Sequence, residues 1–296
     1  MERKTADDFD PNVLILFDAY VHGAIDRRGF LDKARKYAVG GVTAAMLLDA
    51  LSPRFAEAQQ IAKDDKRITA EYLPYPSPQG NTTTKGYLAR PAAANAKLPG
   101  ILVVHENRGL NPHIEDIARR LALDNFVAFA PDALAPLGGY PGDEDSARGL
   151  FPKLDQAKTR EDFVAAAAFL KGHASCTGKI GVVGFCWGGG MANFLATRLP
   201  DLGAAVPFYG NQPTAEDAAK IKAPLLIHYA ATDDRINAGW PAYEAALKAA
   251  GVKYEAFTYP GTQHGFNNDT TPRYDEAAAK LAWSRTLEFF NKHLRG

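Results

Sequence analysis

Residues 179–190 read KIGVVGFCWGGG, and this stretch decides how the rest of the chain is interpreted. A β-branched apolar run predicts a buried strand, and the glycines after it predict a tight turn into a helix. Cys186 stands in that turn, two residues after Gly184 and two residues before Gly188. This spacing is that of a nucleophile elbow, in which side chains at the flanking positions would collide with the turn. The thiol would then lie at a helix N-terminus, where the dipole favours the thiolate.

A purely structural interpretation competes with this one, namely a buried cysteine that fills a glycine-rich turn. A phosphate-binding turn fits less well. The Lys-Ser/Thr pair of a P-loop is missing, and the glycine spacing is not that of a dinucleotide-binding fold. The choice between a reactive and a packed Cys186 therefore depends on which other groups the fold brings to it.

Strand and helix patterns alternate along residues 61–296, which predicts one α/β catalytic domain. The segments 68–77 and 82–91 predict an antiparallel hairpin at the N-terminal edge of the sheet. The later strand patterns, separated by helical patterns, predict a doubly wound, mostly parallel sheet. These later strand patterns are GILVVHE, FVAFAPD, KIGVVGF, GAAVPFYG, APLLIHYA and KYEAFTYPG.

Two further groups follow Cys186 in the chain order of nucleophile, acid and histidine that accompanies this elbow. Asp233 and Asp234 come at the end of one strand pattern, and His264 lies in a Gly-flanked loop after the last one. Because the carboxyl ends of parallel strands meet at one edge, we expect these groups near the cysteine. Asp233 is the preferred acid because its D-x-x-I context resembles the acid loop of hydrolases. The alternative for His264 is a solvated loop histidine.

The segment VVHENRGLN follows an earlier strand pattern and supplies the remaining candidates. In such a sheet this loop gives one oxyanion-hole N–H, and the residue after the nucleophile gives the other. The predicted donors are the backbone N–H groups of Trp187 and Asn107, with Arg108 as the alternative to Asn107. Glu106 could take the thiol proton or restrain it, or else form a salt bridge with Arg108. His105 is expected to be a packed strand-end side chain.

The bulk composition excludes several classes of function. The 296 residues include 34 basic and 34 acidic side chains, so no charge excess indicates a nucleic-acid partner. The two cysteines, Cys176 and Cys186, lack zinc-site spacing and cannot form a disulfide framework. Free thiols in a reducing compartment are therefore expected. The apolar stretches are too short to span a membrane.

The first sixty residues differ from the rest, because their patterns are helical with little strand character. Residues 1–60 are predicted to be a helical extension that packs on the catalytic domain or on a second subunit, giving a homodimer. The competing interpretation is a twin-arginine export signal over residues 27–58, with Arg27 and Arg28 preceding a mildly apolar segment. Acidic residues within that segment favour the extension. The extension predicts a cytoplasmic protein and the signal a periplasmic one.

Four segments together resemble the dienelactone hydrolase (carboxymethylenebutenolidase) family over residues 67–295, namely HENRGLNPHIEDIARR, GFCWGGG, PFYG and YPGTQHGF. The resemblance implies the α/β-hydrolase fold and hydrolysis of a lactone or small activated ester through an acyl-cysteine intermediate, without a metal or an organic cofactor. It also implies Cys186 as nucleophile, Asp233 and His264 as its partners, and Glu106 as the residue that helps to activate the thiol.

The chain departs from the family pattern where the carboxylate of dienelactone is held. Two arginines of the family are missing, since residues 132–136 read DALAP and residues 267–269 read NND. Arg108 and Arg273 are the nearby candidates to replace them, and Tyr140 lies in a Gly- and Pro-rich loop expected to border the pocket. The sequence thus predicts an esterase or lactonase. The competing prediction is a non-catalytic protein that binds a small ligand on the same fold.

Overall fold

A computed structural model describes residues 4–296 and contains one mixed sheet of eight strands in the order β1-β2-β4-β3-β5-β6-β7-β8. β1 and β2 form an antiparallel hairpin, β2 is antiparallel to β4, and the remaining neighbours are parallel. This confirms the predicted edge hairpin and doubly wound sheet. The strands are β1 Ile68–Ser77, β2 Thr82–Pro91, β3 Leu98–Val104, β4 Val127–Pro131, β5 Cys176–Phe185, β6 Ala204–Phe208, β7 Leu225–Thr232 and β8 Tyr254–Gln263.

Helices cover both faces of the sheet, and this explains why the central strands are apolar along their whole length. Every residue of β4 and β6 is buried, as expected for strands covered on both faces. The helices of the described chain are α1 Pro11–Val21, α2 Arg27–Ala34, α3 Ala44–Leu51, α4 Phe55–Ala58, α5 Pro112–Leu123, α6 Glu144–Leu150, α7 Gln156–Gly172, α8 Trp187–Arg198, α9 Ala215–Ala218, α10 Asp234–Asn237, α11 Trp240–Ala249 and α12 Glu276–Leu294.

Two apolar clusters lie on opposite faces of the sheet. One includes Phe163 of α7 and Leu195 of α8, and the other includes Ile117 of α5 and Phe290 of α12. Each face of the sheet therefore has its own apolar core. The carboxyl ends of the parallel strands all lie at one edge of the sheet, because these strands run in the same direction. In α/β sheets ligands bind at that edge.

Local capping accounts for where several helices begin. Asn111 accepts a hydrogen bond from the backbone N–H of Ile114 at 3.2 Å, and Pro112 is the first helical residue, so this cap and this proline fix the start of α5. The last helix starts at Glu276, because Asp275 is its N-cap. Exact termini are decided by such caps rather than by apolar periodicity.

The N-terminal extension is helical and has an apolar cluster of its own. α2 and α3 are separate helices, because Gly40 and Gly41 take positive φ angles of 62° and 85° between them. Only glycine adopts such angles freely. The cluster lies between α1, α2 and α3 and contains Phe9, Val13, Leu14, Phe17, Tyr20, Phe30, Ala34, Ala44, Leu48 and Leu51.

Residues 1–3 of the predicted extension lie outside the described residues. The segment 27–58, considered above as an export signal, contains α2, α3 and α4. Arg27 forms an ion pair with Asp145 at 2.9 Å, which links it to the catalytic region. Within residues 4–296, no helix combines the length and the apolar character that crossing a membrane requires. The boundary at residue 60 and the compartment remain predictions.

Candidate active site

Cys186 lies in a sharp turn between β5 and α8. Its backbone has φ 56° and ψ −115°, a combination that side-chain-bearing residues rarely adopt. A Cβ at Gly184 would lie 2.0 Å from the carbonyl oxygen of Gly188, and a Cβ at Gly188 would lie 2.4 Å from that of Val104. The two glycines are thus required by backbone contacts, and the turn has the form that the sequence pattern predicts.

The candidate acid and histidine follow adjacent strands. β7 ends at Thr232 and β8 ends at Gln263, and these two end residues pair in the sheet. Asp233 and His264 therefore lie side by side, with 2.5 Å between Oδ2 of the carboxylate and Nδ1 of the ring. Both residues are buried, whereas Asp234 is exposed at the start of α10. This geometry fixes the Nδ1 proton on the side of Asp233 and leaves Nε2 for chemistry.

The sulfur of Cys186 has two imidazole neighbours. A ring nitrogen of His264 lies within 4.8 Å of Sγ, and Nε2 of this residue is buried without a hydrogen-bond partner in the described chain. Sγ is 3.5 Å from Nε2 of His22, at the C-terminal end of α1, and the two atoms share a hydrogen bond. The rings of His22 and His264 meet edge to face with centroids 4.7 Å apart. His22 is a site residue that the sequence analysis missed.

The position of His22 is maintained by charged neighbours. Its Nδ1 lies 2.9 Å from the backbone oxygen of Asp18 and 3.3 Å from the Asp18 carboxylate, one helical turn earlier. Arg273 donates to that carboxylate at 3.0 Å. Nη2 of Arg235 lies 3.1 Å from Nε2 of His22. An i, i+4 pair of Asp and His is visible in the sequence, but nothing in the sequence shows that it faces the elbow.

The electrostatics of the cluster favour a thiolate. Burial opposes ionisation of Cys186, but the charge of His264 and the hydrogen bond from His22 lower the pKa of the thiol to about 6. Burial also opposes the charged form of His22, but the hydrogen bonds to Asp18 and Cys186 raise its pKa to about 10. The pKa of His264 is likewise raised against the effect of burial, first by the charge of Cys186 and then by Asp233. The arrangement therefore supports a thiolate–imidazolium state near neutral pH.

The two predicted oxyanion donors lie on either side of the turn. Trp187 is the first residue of α8, where backbone N–H groups point away from the helix. The loop with Asn107 is tied to the extension, because Nδ2 of Asn107 and Nη2 of Arg108 both donate to the carbonyl oxygen of Val21, at 3.0 and 2.8 Å. His105 is buried in the core, where it stacks on the indole of Trp187, and burial lowers its pKa to about 4. This packed environment agrees with the structural role expected for His105.

Glu106 does not make either of the contacts expected from the sequence. Its Oε2 accepts a hydrogen bond from Nδ2 of Asn268 at 2.8 Å. The hydrogen bond to the thiol is made by His22, and the ion pair of Arg108 is with Glu144 at 3.7 Å. In the described chain Asn268 thus orients this carboxylate and a residue of the extension contacts the sulfur, while the role of Glu106 in thiol activation stays a prediction.

A cavity of about 360 Å³ lies beside the cluster and is lined by Glu106, Asn107 and the three predicted substrate contacts Arg108, Tyr140 and Arg273. The extension contributes the opposite wall, with Phe17, Tyr20 and Val21. Cys186, His22 and His264 are not among the lining residues. The cavity is bordered by Val21, the neighbour of His22, and α1 forms one of its walls.

One group in the described chain could hold a metal ion, namely His22, Cys186 and His264, whose ligand atoms lie within 4.8 Å of one another. Thiolate sulfur and imidazole nitrogen are ligands that zinc accepts. The sequence spacing gave no sign of this group. The guanidinium of Arg235, 3.1 Å from the ligating nitrogen of His22, places a positive charge where it would repel a cation.

Comparisons with known proteins agree on the type of domain. The family model "Dienelactone hydrolase family" matches residues 84–294, and a separate model, "YqhI-like", matches residues 1–40. A "Putative carboxymethylenebutenolidase" of Salmonella typhi is 35% identical over 244 residues, which cover 77% of this chain and 89% of that protein. The "Putative hydrolase fragment YghX" of Escherichia coli is 50% identical over 114 residues, which cover 38% of this chain and 97% of that protein.

A solved structure shows the same similarity. The crystal structure of a "Putative Dienelactone Hydrolase" from Klebsiella pneumoniae is 30% identical to this chain in sequence, and the two superpose with a TM-score of 0.65 over 76% of this chain and 99% of that chain.

Proposed function

The chain belongs to the dienelactone hydrolase family, and from this premise we propose that it hydrolyses a lactone or small activated carboxylic ester through an acyl-cysteine intermediate. Cys186 is the nucleophile, His264 its base and Asp233 the residue that orients the base. One observation carries the proposal. The pair of Asp233 and His264, 2.5 Å apart, lies beside a cysteine in a strained elbow at the carboxyl edge of the sheet.

The reaction starts from the thiolate–imidazolium pair, with the proton on Nε2 of His264, and the Cys186 thiolate attacks the carbonyl carbon. A C–S bond forms, the C=O electron pair moves to oxygen, and the backbone N–H groups of Trp187 and Asn107 stabilise that charge. The C=O bond then re-forms, the C–O bond to the leaving group breaks, and the leaving alkoxide takes the proton from His264. In the second half-reaction water gives a proton to His264 and its oxygen attacks the acyl carbon; the C=O bond re-forms and the C–S bond breaks, which releases the acid and restores the thiolate–imidazolium pair.

The cavity supports a small substrate with at most limited anionic character. Its volume of about 360 Å³ is at the lower end of ligand pockets. Both candidate arginines already donate hydrogen bonds within the protein, Arg108 to the carbonyl oxygen of Val21 and Arg273 to the carboxylate of Asp18. Nε of Arg273 is buried without a partner in the described chain and is the donor best placed to meet an anionic group. Tyr140, which donates to Glu144 at 3.1 Å, borders the same space.

The deciding experiment compares the wild-type enzyme with Cys186→Ala and Cys186→Ser on p-nitrophenyl acetate, a lactone panel and dienelactone. We expect Cys186→Ala to lower kcat by about 10³-fold or more, because nucleophile and base act as a unit. Cys176→Ala is the matched control, since Cys176 is buried in the core away from the elbow. Activity retained by Cys186→Ala would contradict the proposal. Wild-type protein without iodoacetamide-sensitive hydrolysis on any substrate would favour the ligand-binding alternative.

The homodimer remains a proposal about the extension. Four of its large apolar side chains are exposed, Ile15, Val39, Val42 and Met46, with 66%, 72%, 38% and 55% of their surface accessible. An apolar surface of this kind suits contact with a second copy. A cytoplasmic location is proposed with it, as the sequence analysis prefers.

A further inference from the structure

His105 lies directly after β3, and its ring makes hydrogen bonds through both nitrogens. The backbone nitrogen of Ala133 lies 3.1 Å from Nε2, and Nδ1 lies 2.5 Å from the carbonyl oxygen of Glu106. A backbone N–H can only donate, so Nε2 is an acceptor and Nδ1 carries the proton of the neutral ring. Burial favours this neutral form, because it lowers the pKa of His105 to about 4. The ring therefore donates from Nδ1 to the carbonyl oxygen of Glu106.

The carbonyl oxygen that His105 holds belongs to the same peptide unit as one proposed oxyanion donor. The peptide bond between Glu106 and Asn107 is trans, so its C=O and N–H groups lie in one plane and point in opposite directions. A hydrogen bond that fixes the C=O of Glu106 thus fixes the direction of the N–H of Asn107. His105 thereby orients this donor without occupying it.

Arg108 holds the next peptide unit of the same loop. Its Nη1 donates to the carbonyl oxygen of Asn107 at 2.9 Å, and its Nη2 donates to that of Val21 at 2.8 Å. Nδ2 of Asn107 donates to the same Val21 oxygen at 3.0 Å. The guanidinium and the end of α1 therefore fix Asn107 through the peptide that follows it, as His105 does through the peptide that precedes it.

The second proposed donor, Trp187, is packed against the same imidazole. Its indole stacks on the His105 ring, with centroids 5.3 Å apart and an interplanar angle of 12°. A Cβ at Gly188 would lie 2.5 Å from the carbonyl oxygen of His105, so the first turn of α8 touches this strand end. Neither the backbone N–H of Trp187 nor that of Asn107 donates a hydrogen bond to another group within residues 4–296. Both donors are thus free to bind a substrate oxygen.

We propose that His105 and Arg108 are positioning residues that hold the backbone N–H of Asn107 in the oxyanion hole. His105 also supports Trp187, the residue of the second donor. Neither positioning residue touches the reacting atoms, and neither changes its protonation state during the reaction. This inference rests on the proposed function, because the hole has a role only when the thiolate attacks a carbonyl group. It gives Arg108 a task within the protein rather than at the substrate.

Two amide substitutions separate the hydrogen bonds of His105. In His105→Asn the amide nitrogen is bonded to Cγ, as Nδ1 is, so the bond to Glu106 is kept. In His105→Gln the amide lies one carbon further, near the position of Nε2, so only the contact with Ala133 is kept. We expect kcat for p-nitrophenyl acetate to fall about 10- to 100-fold in His105→Gln and only about 2- to 5-fold in His105→Asn. KM should change less than about threefold, because the donors act in the transition state.

Arg108→Lys tests the other side of the loop. Lysine keeps the positive charge but lacks the planar fork, so it cannot donate to both carbonyl oxygens in the same geometry. We expect kcat to fall about 3- to 10-fold with KM nearly unchanged. His228→Gln is the matched control and should keep the wild-type kcat. His228 is as buried as His105, but its ring nitrogens contact Thr286 and Tyr259 instead of the loop.

Two reagents distinguish the oxyanion hole from the thiol itself. Iodoacetamide alkylates Cys186 by displacing iodide without forming an oxyanion, so its rate should stay within about twofold of the wild-type rate in every variant. Acetaldehyde instead adds to Cys186. The sulfur bonds to the carbonyl carbon, and the C=O electron pair moves to the oxygen, which takes the proton from His264 and lies in the hole. Protection against alkylation measures its affinity, which should fall about 10-fold in His105→Gln.

Each outcome supports or overturns the proposal. A loss of kcat in His105→Asn as large as in His105→Gln would overturn it, and so would a parallel fall in the alkylation rate, since His105 would then maintain the elbow as a whole. If the wild-type protein hydrolyses no ester but His105→Gln still weakens acetaldehyde binding, the hydrolase function fails and the positioning role stands. Unchanged acetaldehyde affinity, or no acetaldehyde adduct in the wild-type protein, would overturn the positioning role.

Circular dichroism identifies a variant that fails to fold. If both His105 variants unfold, Arg108→Lys carries the test. Wild-type kcat and acetaldehyde affinity in folded Arg108→Lys would then overturn the proposal.

Discussion

Two carboxylate–imidazole pairs converge on one sulfur, and they come from different parts of the molecule. Asp233 and His264 extend from two neighbouring strands, are joined at 2.5 Å, and have side chains only 4% and 6% exposed. Asp18 and His22 lie one turn apart at the end of a helix, are joined at 3.3 Å, and are 34% and 16% exposed. The first pair is part of the sheet, whereas the second is docked onto it.

This difference separates two ways of building a site. Strand-end residues are brought together by the register of the sheet, which also forms the core, so their geometry is as stable as the fold. A helix pair at i, i+4 is a common local arrangement, and only the docking of α1 gives it a target. We therefore expect the sheet pair to be indispensable for hydrolysis and the helix pair to adjust its efficiency.

The largest effect should come from breaking the sheet pair. Asp233→Asn removes the charge that orients and stabilises the His264 imidazolium, and kcat should fall about 10²- to 10⁴-fold. Asp234→Asn is the matched control, because that neighbouring carboxylate is exposed at the start of α10. Steady-state kinetics on p-nitrophenyl acetate give the comparison. Equal losses in the two variants would contradict the assignment of Asp233 as the acid.

A smaller effect is expected from the helix pair. Asp18→Asn leaves His22 beside the sulfur but removes the carboxylate that holds Nδ1 of its ring, 3.3 Å away. The value of kcat/KM for p-nitrophenyl acetate should therefore fall about 3- to 10-fold. Asp32→Asn, an exposed carboxylate on α2 paired with Arg35, should leave kcat/KM unchanged. A loss as large as that of Asp233→Asn would remove the distinction between the two pairs.

The smallest effect should come from the surface contact that links the extension to the catalytic region. Arg27 and Asp145 are 2.9 Å apart and both are about half exposed, at 53% and 42%. Exposed ion pairs of this kind contribute about 0–1 kcal/mol. Urea denaturation of Arg27→Ala should therefore show a free energy of unfolding within about 1 kcal/mol of the wild-type value. A larger loss would mean that the extension depends on this contact more than on its apolar cluster.

Most of the fold could be predicted from the sequence, because its signals are local and repeated. The β-branched runs, the glycines of the elbow and the capping residue Asn111 all act within a few residues of their own position. The division between α2 and α3 depends on the backbone angles of Gly40 and Gly41, which an apolar pattern does not show. Exact helix termini depend likewise on cap geometry.

The candidate site was only partly predictable for a related reason. Cys186, Asp233 and His264 follow strand ends, so the sheet itself indicates that they meet. His22 reaches the sulfur through docking of a helix, and no spacing in the sequence encodes that contact. The hydrogen bond of Glu106 with Asn268 was not predicted, because Asn268 lies in a loop whose path the sequence does not reveal.

The separation between His22 and Cys186, 164 positions along the chain, also affects how the protein matures. Arg273, which holds Asp18, is 255 positions from it, so α1 is synthesised long before its anchor. Closing loops of this length is slow and comes after local structure has formed. Until His22 and His264 lie beside the sulfur, a nascent or partly folded chain carries a thiol of ordinary reactivity. Reactivity then appears with the last long-range contacts, and alkylation of Cys186 reports that folding is complete.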